Sequence, residues 1–427
     1  MKMQEKKENN LMEKIVSLCK RRGFIFPGSE IYGGLAGTYD YGHFGVALKN
    51  NIKQSWWKKF VDNRRDMYGM DAAILMNAKV WEASGHVAGF LDPIEDGKQF
   101  NVMFKTQIGA GEEAAVSYLR PETAQGIFVN FKNTIDSFHP KLPFGIAQIG
   151  KAFRNEIAPR DFIFRIREFE QMEIEYFIRS TDWEKYFEYW RGEILDWTEE
   201  IGINMSKVYE LEVPDVDRAH YSKRTIDFEF DFPFGKKELL GLAYRTDFDL
   251  KNHKLEYIDE VPMPDEVPDA SIGTGGIPTE SVGKKMIPHV IEPSIGVDRI
   301  LLALLVSSYR EDERGGEMRV YLKFKPNIAP VICAVSPLLK NKPELVEYAN
   351  TKVFAPLKAE FGRVIWDDNG NIGKRYRRQD EIGTPFCIVV DFDTLTNDTV
   401  TVRDRDTGEQ ERIKITDLKK YIQERIN

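Results

Sequence analysis

Alternation of apolar and polar positions is strongest between Ile146 and Phe177, IAQIGKAFRNEIAPRDFIFRIREFEQMEIEYF. A period of two marks β-strands, and the stretch predicts two strand segments joined by a short loop containing Pro159. On the first segment Arg154 and Glu156 share a face. On the second, Arg165, Arg167, Phe169, Gln171, Glu173 and Glu175 share one face, while Ile166, Met172, Ile174 and Tyr176 point the other way. One face of an antiparallel hairpin thus carries arginines, an aromatic ring and carboxylates, where a solvated strand face carries scattered Lys, Thr and Ser. These groups suit a polyphosphate, a stacked base and an ammonium. For Glu173 and Glu175 the alternative is ion pairing with neighbouring arginines on the strand surface.

Helical periodicity appears elsewhere. Residues 11–22 read as a helix stopped by Gly23. Over residues 46–61, Leu48, Ile52, Trp56 and Phe60 recur at i+4 with Trp57 beside them. That bulky stripe is either core or a subunit interface. Residues 71–76 read as a strand, 91–117 as irregular, 183–201 as an aromatic-rich helix ending at Gly202, and 225–250 as strands. Residues 261–285 hold four prolines and four glycines and predict a mobile loop. A strand at 287–291 runs into EPSIGVDR and then a helix. A boundary falls at Lys325-Pro326-Asn327, and beyond it strands alternate with helices, which predicts a small α/β domain. The plan is a disordered tail at 1–10, a body at 11–326 and a C-terminal domain at 328–427.

Composition narrows the class. The chain has 427 residues, 42% hydrophobic and 30% charged, as a soluble protein of two or three domains would. The longest apolar run, 300–306, is far short of the roughly 20 residues a membrane span requires. The N-terminus MKMQEKKENN has no apolar stretch and predicts no signal peptide. Cys19, Cys333 and Cys387 are widely separated, which excludes a disulfide framework and suits a reducing cytoplasm. The net charge of −8 lies in the first 327 residues, because acids and bases balance beyond them. Within that balanced part, Lys374, Arg375, Arg377 and Arg378 cluster around Tyr376, as an RNA contact or as a solvated charged loop.

The segment EPSIGVDRILLALL carries further chemistry. Glu292 and Ser294 project from one face of a strand end, and Gly296 allows close approach of a backbone or a ligand. Residues 300–306 are apolar all round, so Arg299 sits in the first turn of a buried helix. The helix dipole disfavours a cation there, so the guanidinium needs an anionic partner, either a phosphate or a buried carboxylate. Together, Arg154, Arg165, Arg167 and Arg299 offer planar forks for phosphate oxygens. Phe169 offers a stacking face, Glu156 an acceptor for an exocyclic amine, and Glu122, Glu173 and Glu292 a possible carboxylate cage for a small ammonium.

These pieces stand in a recognisable order. YDYGHFGVALKNNIKQSWW, DAAILMNAKVWEASGH, LRPETAQGIF, FRNEIAPRDFIFRIREFEQMEIEYF, ELLGLAYRTDFDL, HVIEPSIGVDR and IGKRYRRQDEIGTPFCIVVDFD resemble consecutive segments of class II aminoacyl-tRNA synthetases of the homodimeric glycyl type. The resemblance spans roughly residues 11–425. It implies an α+β fold, with a catalytic antiparallel sheet flanked by helices and a C-terminal α/β anticodon-binding domain. It also implies a cytoplasmic homodimer that joins glycine to tRNA(Gly) using ATP and Mg²⁺.

Carried onto matching positions, the resemblance places Arg154 on the α-phosphate and Arg299 on the γ-phosphate as the catalytic pair. Asn155, Glu156, Arg165, Ile166, Arg167, Glu238, Leu239 and Gly296 complete the ATP site, and Phe169 stacks on adenine. Glu122, Gln171, Glu173, Glu292, Pro293 and Ser294 match the glycine pocket. Lys374, Arg375, Arg377 and Arg378 are the candidates for tRNA. Glu260 or Glu280 is a candidate for helping to hold magnesium. Two positions depart from the family, which usually has proline at Ala78 and Gly-Pro-Leu-Gly at 42–45. Both lie in or near segments that build its dimer interface. The family's cysteine-bearing insertion is missing from 91–117, so no structural zinc is expected. The rivals are a catalytically dead relative acting as a binding module, and a synthetase for threonine, serine or proline.

Overall fold

The computed structural model describes residues 2–94, 98–111, 114–219, 221–259 and 283–426, with side chains from residue 11 onward. Most of the loop expected at 261–285, with Glu260 and Glu280, lies outside the described residues.

A seven-stranded sheet organises the first part of the chain. Its strands are β1 (Met67–Met70), β2 (Phe144–Phe153), β3 (Glu168–Ile178), β4 (Val208–Glu212), β5 (Arg224–Phe232), β6 (Gly235–Thr246) and β7 (His289–Gly296). They lie in the order β4-β5-β6-β7-β3-β2-β1, antiparallel throughout except for the parallel β1–β2 pair at one edge. Alternation does the sorting. Met172, Ile174 and Tyr176 of β3 and Ile226, Phe228 and Phe230 of β5 face a core closed by three helices. These are α2 (His43–Trp57), α3 (Trp183–Glu200) and α4 (Val297–Ser308), preceded by α1 (Lys2–Arg22). The opposite face is apolar at one end, around Phe128, Phe144, Phe177 and Val290. At the other end it carries the polar residues of the site.

Several expectations change in this frame. Residues 2–10, read as a disordered tail, form the first half of α1. The stripe of Leu48, Ile52, Trp56 and Phe60 is core within one chain, packed against Trp190 and Trp197. It is therefore not available as a subunit interface. The strand expected at 71–76 lies earlier, as β1, and Leu75 makes only a bridge to Leu119. The irregular stretch at 91–117 contains two small hairpins, Leu91–Pro93 with Gln99–Asn101 and Lys105–Ile108 with Ala115–Tyr118. The link between β2 and β3 is longer than a tight turn. It folds back through a bridge between Arg160 and Arg165, with Asp161 and Phe162 at φ 59° and 57°. Those two side chains bear the left-handed backbone that glycine would otherwise supply.

A hairpin of β8 (Tyr309–Arg314) and β9 (Glu317–Leu322) leads to the second part. There, β10 (Cys333–Pro337), β11 (Val364–Trp366), β12 (Phe386–Val390), β13 (Thr399–Asp404) and β14 (Gln410–Lys414) form a sheet ordered β11-β10-β12-β13-β14. β10 runs parallel to β11 and β12, and the remaining pairs are antiparallel. With the helical stretch 343–361, α5 (Ile372–Ile382) and α6 (Ile415–Ile426), this is an α/β unit with its own core.

Candidate active site

The register of β3 against β7 places Gln171 opposite Gly296 and Glu173 opposite Ser294. Two connected chambers open on this face. The first is lined by Arg154, Glu156, Phe164, Arg165, Ile166, Phe169, Gln171, Glu238, Leu239, Gly296 and Arg299. The second is lined by Glu122, Arg154, Gln171, Glu173, Glu238, Glu292 and Ser294. Arg154, Gln171, Glu238 and Ser294 belong to both, so the chambers are continuous.

Arginines and rings dominate the first chamber. The Arg154 guanidinium lies between the rings of Phe90 and Phe169, 5.3 Å from each centroid, and its Nε donates to the Pro121 carbonyl at 3.1 Å. Arg299 lies over Phe164 at 4.6 Å and donates to Glu238 Oε2 at 2.8 Å. The anionic partner expected for Arg299 is thus a carboxylate here. The guanidinium is 29% exposed, however, and remains within the chamber. Behind it, buried Asp298 fixes the start of α4. It accepts from Lys49 Nζ at 2.8 Å, from the Glu170 N–H at 2.9 Å and from the Tyr41 hydroxyl. Arg165 binds Glu156 at 2.5 Å and Asp92 at 3.0 Å, which folds the β2–β3 link over the chamber mouth.

Arg167 does not belong with them. Its guanidinium donates to the carbonyls of Ala36 and Glu156, so it ties two loops together and does not line the chamber. Asn155 also stays outside the chamber lining, its backbone N–H donating to the Val102 carbonyl at 2.7 Å. At Gly296 a Cβ would meet only Arg299, at 3.7 Å. No protein atom demands glycine there, so the free space faces the cleft.

Acids dominate the second chamber. Buried Glu173 accepts from the Thr123 N–H at 3.1 Å, from the Thr123 hydroxyl, from Gln171 Nε2 at 2.9 Å and from Ser294 Oγ at 2.8 Å. Glu122 Oε2 meets His86 Nε2 at 3.2 Å. Glu292 Oε1 accepts from Arg245 Nη1 at 2.6 Å, and Asp249 takes the other side of that guanidinium with two bonds of 2.8 and 2.9 Å. Pro293 is buried on β7 opposite Leu242 and supplies backbone shape only. Glu175, the next same-face residue on β3, is fully buried, and neither of its carboxyl oxygens has a hydrogen-bond partner among the described residues.

Crowding of acids sets their protonation. Burial, then Glu292, drives the Glu175 carboxyl well above its usual range. Burial, reinforced by Glu173 and Glu122 and opposed by Arg245, pushes Glu292 up to about 8. Burial and Glu122 raise Glu173 against its bonds from Thr123 and Ser294. Glu122 goes down instead: burial works to raise it, but His86, Arg245 and Arg154 outweigh that. The chamber therefore holds more carboxyl groups than buried Arg245 neutralises, and it favours an added cation.

Arg245, Asp249, His86 and Arg120 escaped the sequence reading. Their importance lies in pairings between distant segments, although all four stand in the quoted motif segments or one residue beyond them. Arg120 is buried and donates to the carbonyls of Ala72 and Lys151 at 2.7 and 2.6 Å. A Cβ on Gly150 would lie 2.2 Å from its Nη2, so a larger residue there would push the guanidinium off these carbonyls.

The basic cluster of the C-terminal unit is mostly consumed in structure. Arg375 is buried and donates to the carbonyls of Gly370, Pro337 and Asp368. Arg378 grips Asp367, and Arg377 pairs with Glu317 of β9. Lys374 alone of the four stays exposed without an ion pair among the described residues.

Known proteins resemble this chain over nearly its whole length. Residues 104–260 match the tRNA synthetase class II core domain (G, H, P, S and T), and residues 332–425 match the anticodon binding domain. The chain is 44% identical to the glycine–tRNA ligase of Thermus thermophilus, over 97% of this chain and 99% of that protein. It is 45% identical to the glycine–tRNA ligase of Clostridium acetobutylicum, over 98% of this chain and all of its relative. With that of Lachnospira eligens it shares 46% identity, over 97% and 99% of the two chains.

Proposed function

The chain belongs to the glycine–tRNA ligase family of class II tRNA synthetases, and from that premise we infer that it activates glycine with ATP and transfers it to tRNA(Gly). The observation that carries the site reading is the continuity of the arginine chamber with the acid chamber across Arg154 and Gln171. A carboxylate nucleophile and a triphosphate must meet at such a junction.

The glycine ammonium enters among Glu122, Glu173 and Glu292, where acids exceed cations. Its carboxylate then points toward Arg154. Adenine stacks on Phe169, Arg154 binds the α-phosphate, and Arg299 leaves Glu238 for the γ-phosphate. The glycine carboxylate attacks the α-phosphorus and pyrophosphate leaves. A terminal ribose hydroxyl of tRNA then attacks the carbonyl of the adenylate and AMP leaves. No side chain acts as nucleophile. Catalysis rests on position and on charge placed where it develops.

Magnesium brought with ATP fits the oxygen donors of this floor. Glu238 and Asp227 both line the second chamber. Burial, followed by the charges of Glu238 and Glu229, pushes Asp227 up to about 6, a crowding that a dication relieves. Magnesium is commonly held by one or two carboxylates plus phosphates and water. There it would withdraw charge from the phosphate oxygens.

For tRNA, the support moves away from the cluster on α5. Ligands of open α/β sheets sit beyond the carboxyl ends of parallel strands. Beyond β10, β11 and β12 lie exposed Lys340, Lys342 and Lys374 together with Phe392, which is 46% exposed. Basic groups with a free aromatic face suit splayed RNA bases. The homodimer reading now leans on the open edge of β1 and on exposed Ile31, Tyr32 and Leu35. A cytoplasmic place agrees with three buried cysteines and with the absence of a membrane-length apolar helix among the described residues.

ATP–pyrophosphate exchange across the amino acids tests the core reading. Glycine-dependent exchange, with alanine excluded by overlap, is expected. Exchange driven by threonine, serine or proline, or none at all, refutes it.

A further inference from the structure

Glu122 has a support of its own. Its Oε2 faces His86 Nε2 at 3.2 Å, and the far ring nitrogen, Nδ1, lies 2.8 Å from Ser84 Oγ. All three residues are buried. The imidazole is clamped by Trp81 at 5.5 Å and Phe90 at 5.3 Å between ring centroids. Its backbone is pinned as well: Asn101 Nδ2 donates to the carbonyls of His86 and Val87 at 3.1 and 3.0 Å. The ring therefore has one pose. A carboxylate only accepts, so Nε2 carries the hydrogen that faces Glu122. Among the described residues the second Glu122 oxygen has only a long hydrogen bond of 3.4 Å, from Gln125 Nε2. That oxygen remains for a substrate ammonium.

We propose that His86, oriented by Ser84, is a positioning residue that holds Glu122 in place to receive the amino group of the substrate. This deepens the reading of the acid chamber and rests on it. The geometry separates His86 from a plain packing residue, because each ring nitrogen has a polar partner. It also makes the effect selective. Glu122 lines the acid chamber and not the nucleotide chamber. Losing the histidine should therefore be felt in glycine binding and not in ATP binding.

Two isosteres divide the ring's contacts. The amide nitrogen of glutamine can occupy the place of Nε2 and still donate to Glu122. The shorter asparagine reaches only the place of Nδ1 and leaves Glu122 without its donor. The test is ATP–pyrophosphate exchange with glycine and ATP varied separately. His86→Asn should raise the glycine KM about ten-fold, the order expected for losing one hydrogen bond to a charged group. The ATP KM should stay within about two-fold, and His86→Gln should recover most of the loss. Ser84→Ala should give a smaller rise of the same kind. Parallel rises in both KM values, equal effects of Asn and Gln, or no effect overturn the proposal. If the histidine variants do not fold, the unaltered protein decides. With ¹⁵N-labelled histidine, a protonated Nε2 whose resonance shifts on adding glycine is expected, and an unshifted resonance overturns it. Failure of the unaltered enzyme to exchange with glycine would instead sink the reading of the chamber.

Discussion

Arg154 is the residue on which both chambers depend, and its surroundings say what it does. It is stacked between two rings and bonded once to a carbonyl, so most of its donors remain free for a ligand. An arginine whose contact strengthens as charge gathers at phosphorus lowers the barrier more than it tightens binding. Arg154→Ala should cut single-turnover adenylate formation by at least about a hundred-fold while changing glycine affinity little. Near-normal adenylate formation would remove it from the chemistry. Glu175 makes the opposite kind of statement. Its carboxyl is raised above the ordinary 4.5 by burial and by Glu292. The folded state therefore holds a proton there that the unfolded chain releases, and stability falls as pH rises above the ordinary glutamate range. Glu175→Gln should raise Tm at pH 8 by on the order of 2 °C, with the gain disappearing below pH 4.5. A gain of equal size at both pH values would mean that no titration is involved. Glu173 and Glu292 were legible in the sequence because strand alternation fixes which face a side chain takes. Arg245 and His86 were not, since their pairings with Glu292 and Glu122 join residues far apart in the chain and leave no period to read.

At the scale of elements, helix ends explain the two departures from the family pattern. Ala78 follows its N-cap Asn77, and His43 follows its N-cap Gly42, so both occupy the first helical position. Proline is favoured there because its missing N–H has no intrahelical partner. Alanine and histidine keep the helix and forgo only the preset φ. The preceding residues are extended, with ψ 134° at Asn77 and −175° at Gly42, which a following proline accepts. Ala78→Pro and His43→Pro should each stabilise by about 0.4–1 kcal/mol in denaturant melts, with exchange activity kept; a loss of stability would show that either N–H has a partner. The stripe on α2 teaches the converse. Its i+4 spacing announced a buried face correctly but could not say buried against what, since intrachain core and dimer contact demand the same residues. The basic run on α5 misled for a related reason. Charge clustering is visible in sequence, but the carbonyls and carboxylates that consume Arg375 and Arg378 come from other loops.

Across the whole molecule, α5 acts as a strut between the two units. Glu381 receives Arg21 and Arg22 from α1, and Arg377 pairs with Glu317 of β9. Between them, buried Asp380 takes Arg403 of β13 at 2.8 and 3.0 Å and Arg319 of β9 at 3.4 Å. Arg405 donates to the Phe324 carbonyl at 2.8 Å, and Gly383, at φ +86°, lies beneath the Phe324 ring. A chain ending at Pro326 would strip these partners from Arg319 and Phe324, so removing the C-terminal domain perturbs more than tRNA binding. A point change divides the two steps more cleanly. Asp380→Ala leaves the buried Arg403 guanidinium without its carboxylate and takes from Arg319 the second of two, since Asp312 stays bonded to it, a loss on the order of 3–5 kcal/mol. On the proposed reading, glycine and ATP bind within the first unit, whereas tRNA spans both. Loosening the strut should therefore leave the glycine-dependent pyrophosphate exchange rate within about two-fold of the parent and lower tRNA charging at least about ten-fold, because the spacing between anticodon and acceptor end is no longer held and binding loses the advantage of two linked sites. Both rates are measured on the same preparation below its melting temperature. Charging that falls only in step with exchange would mean that the C-terminal unit adds stability to the catalytic sheet but does not position the tRNA.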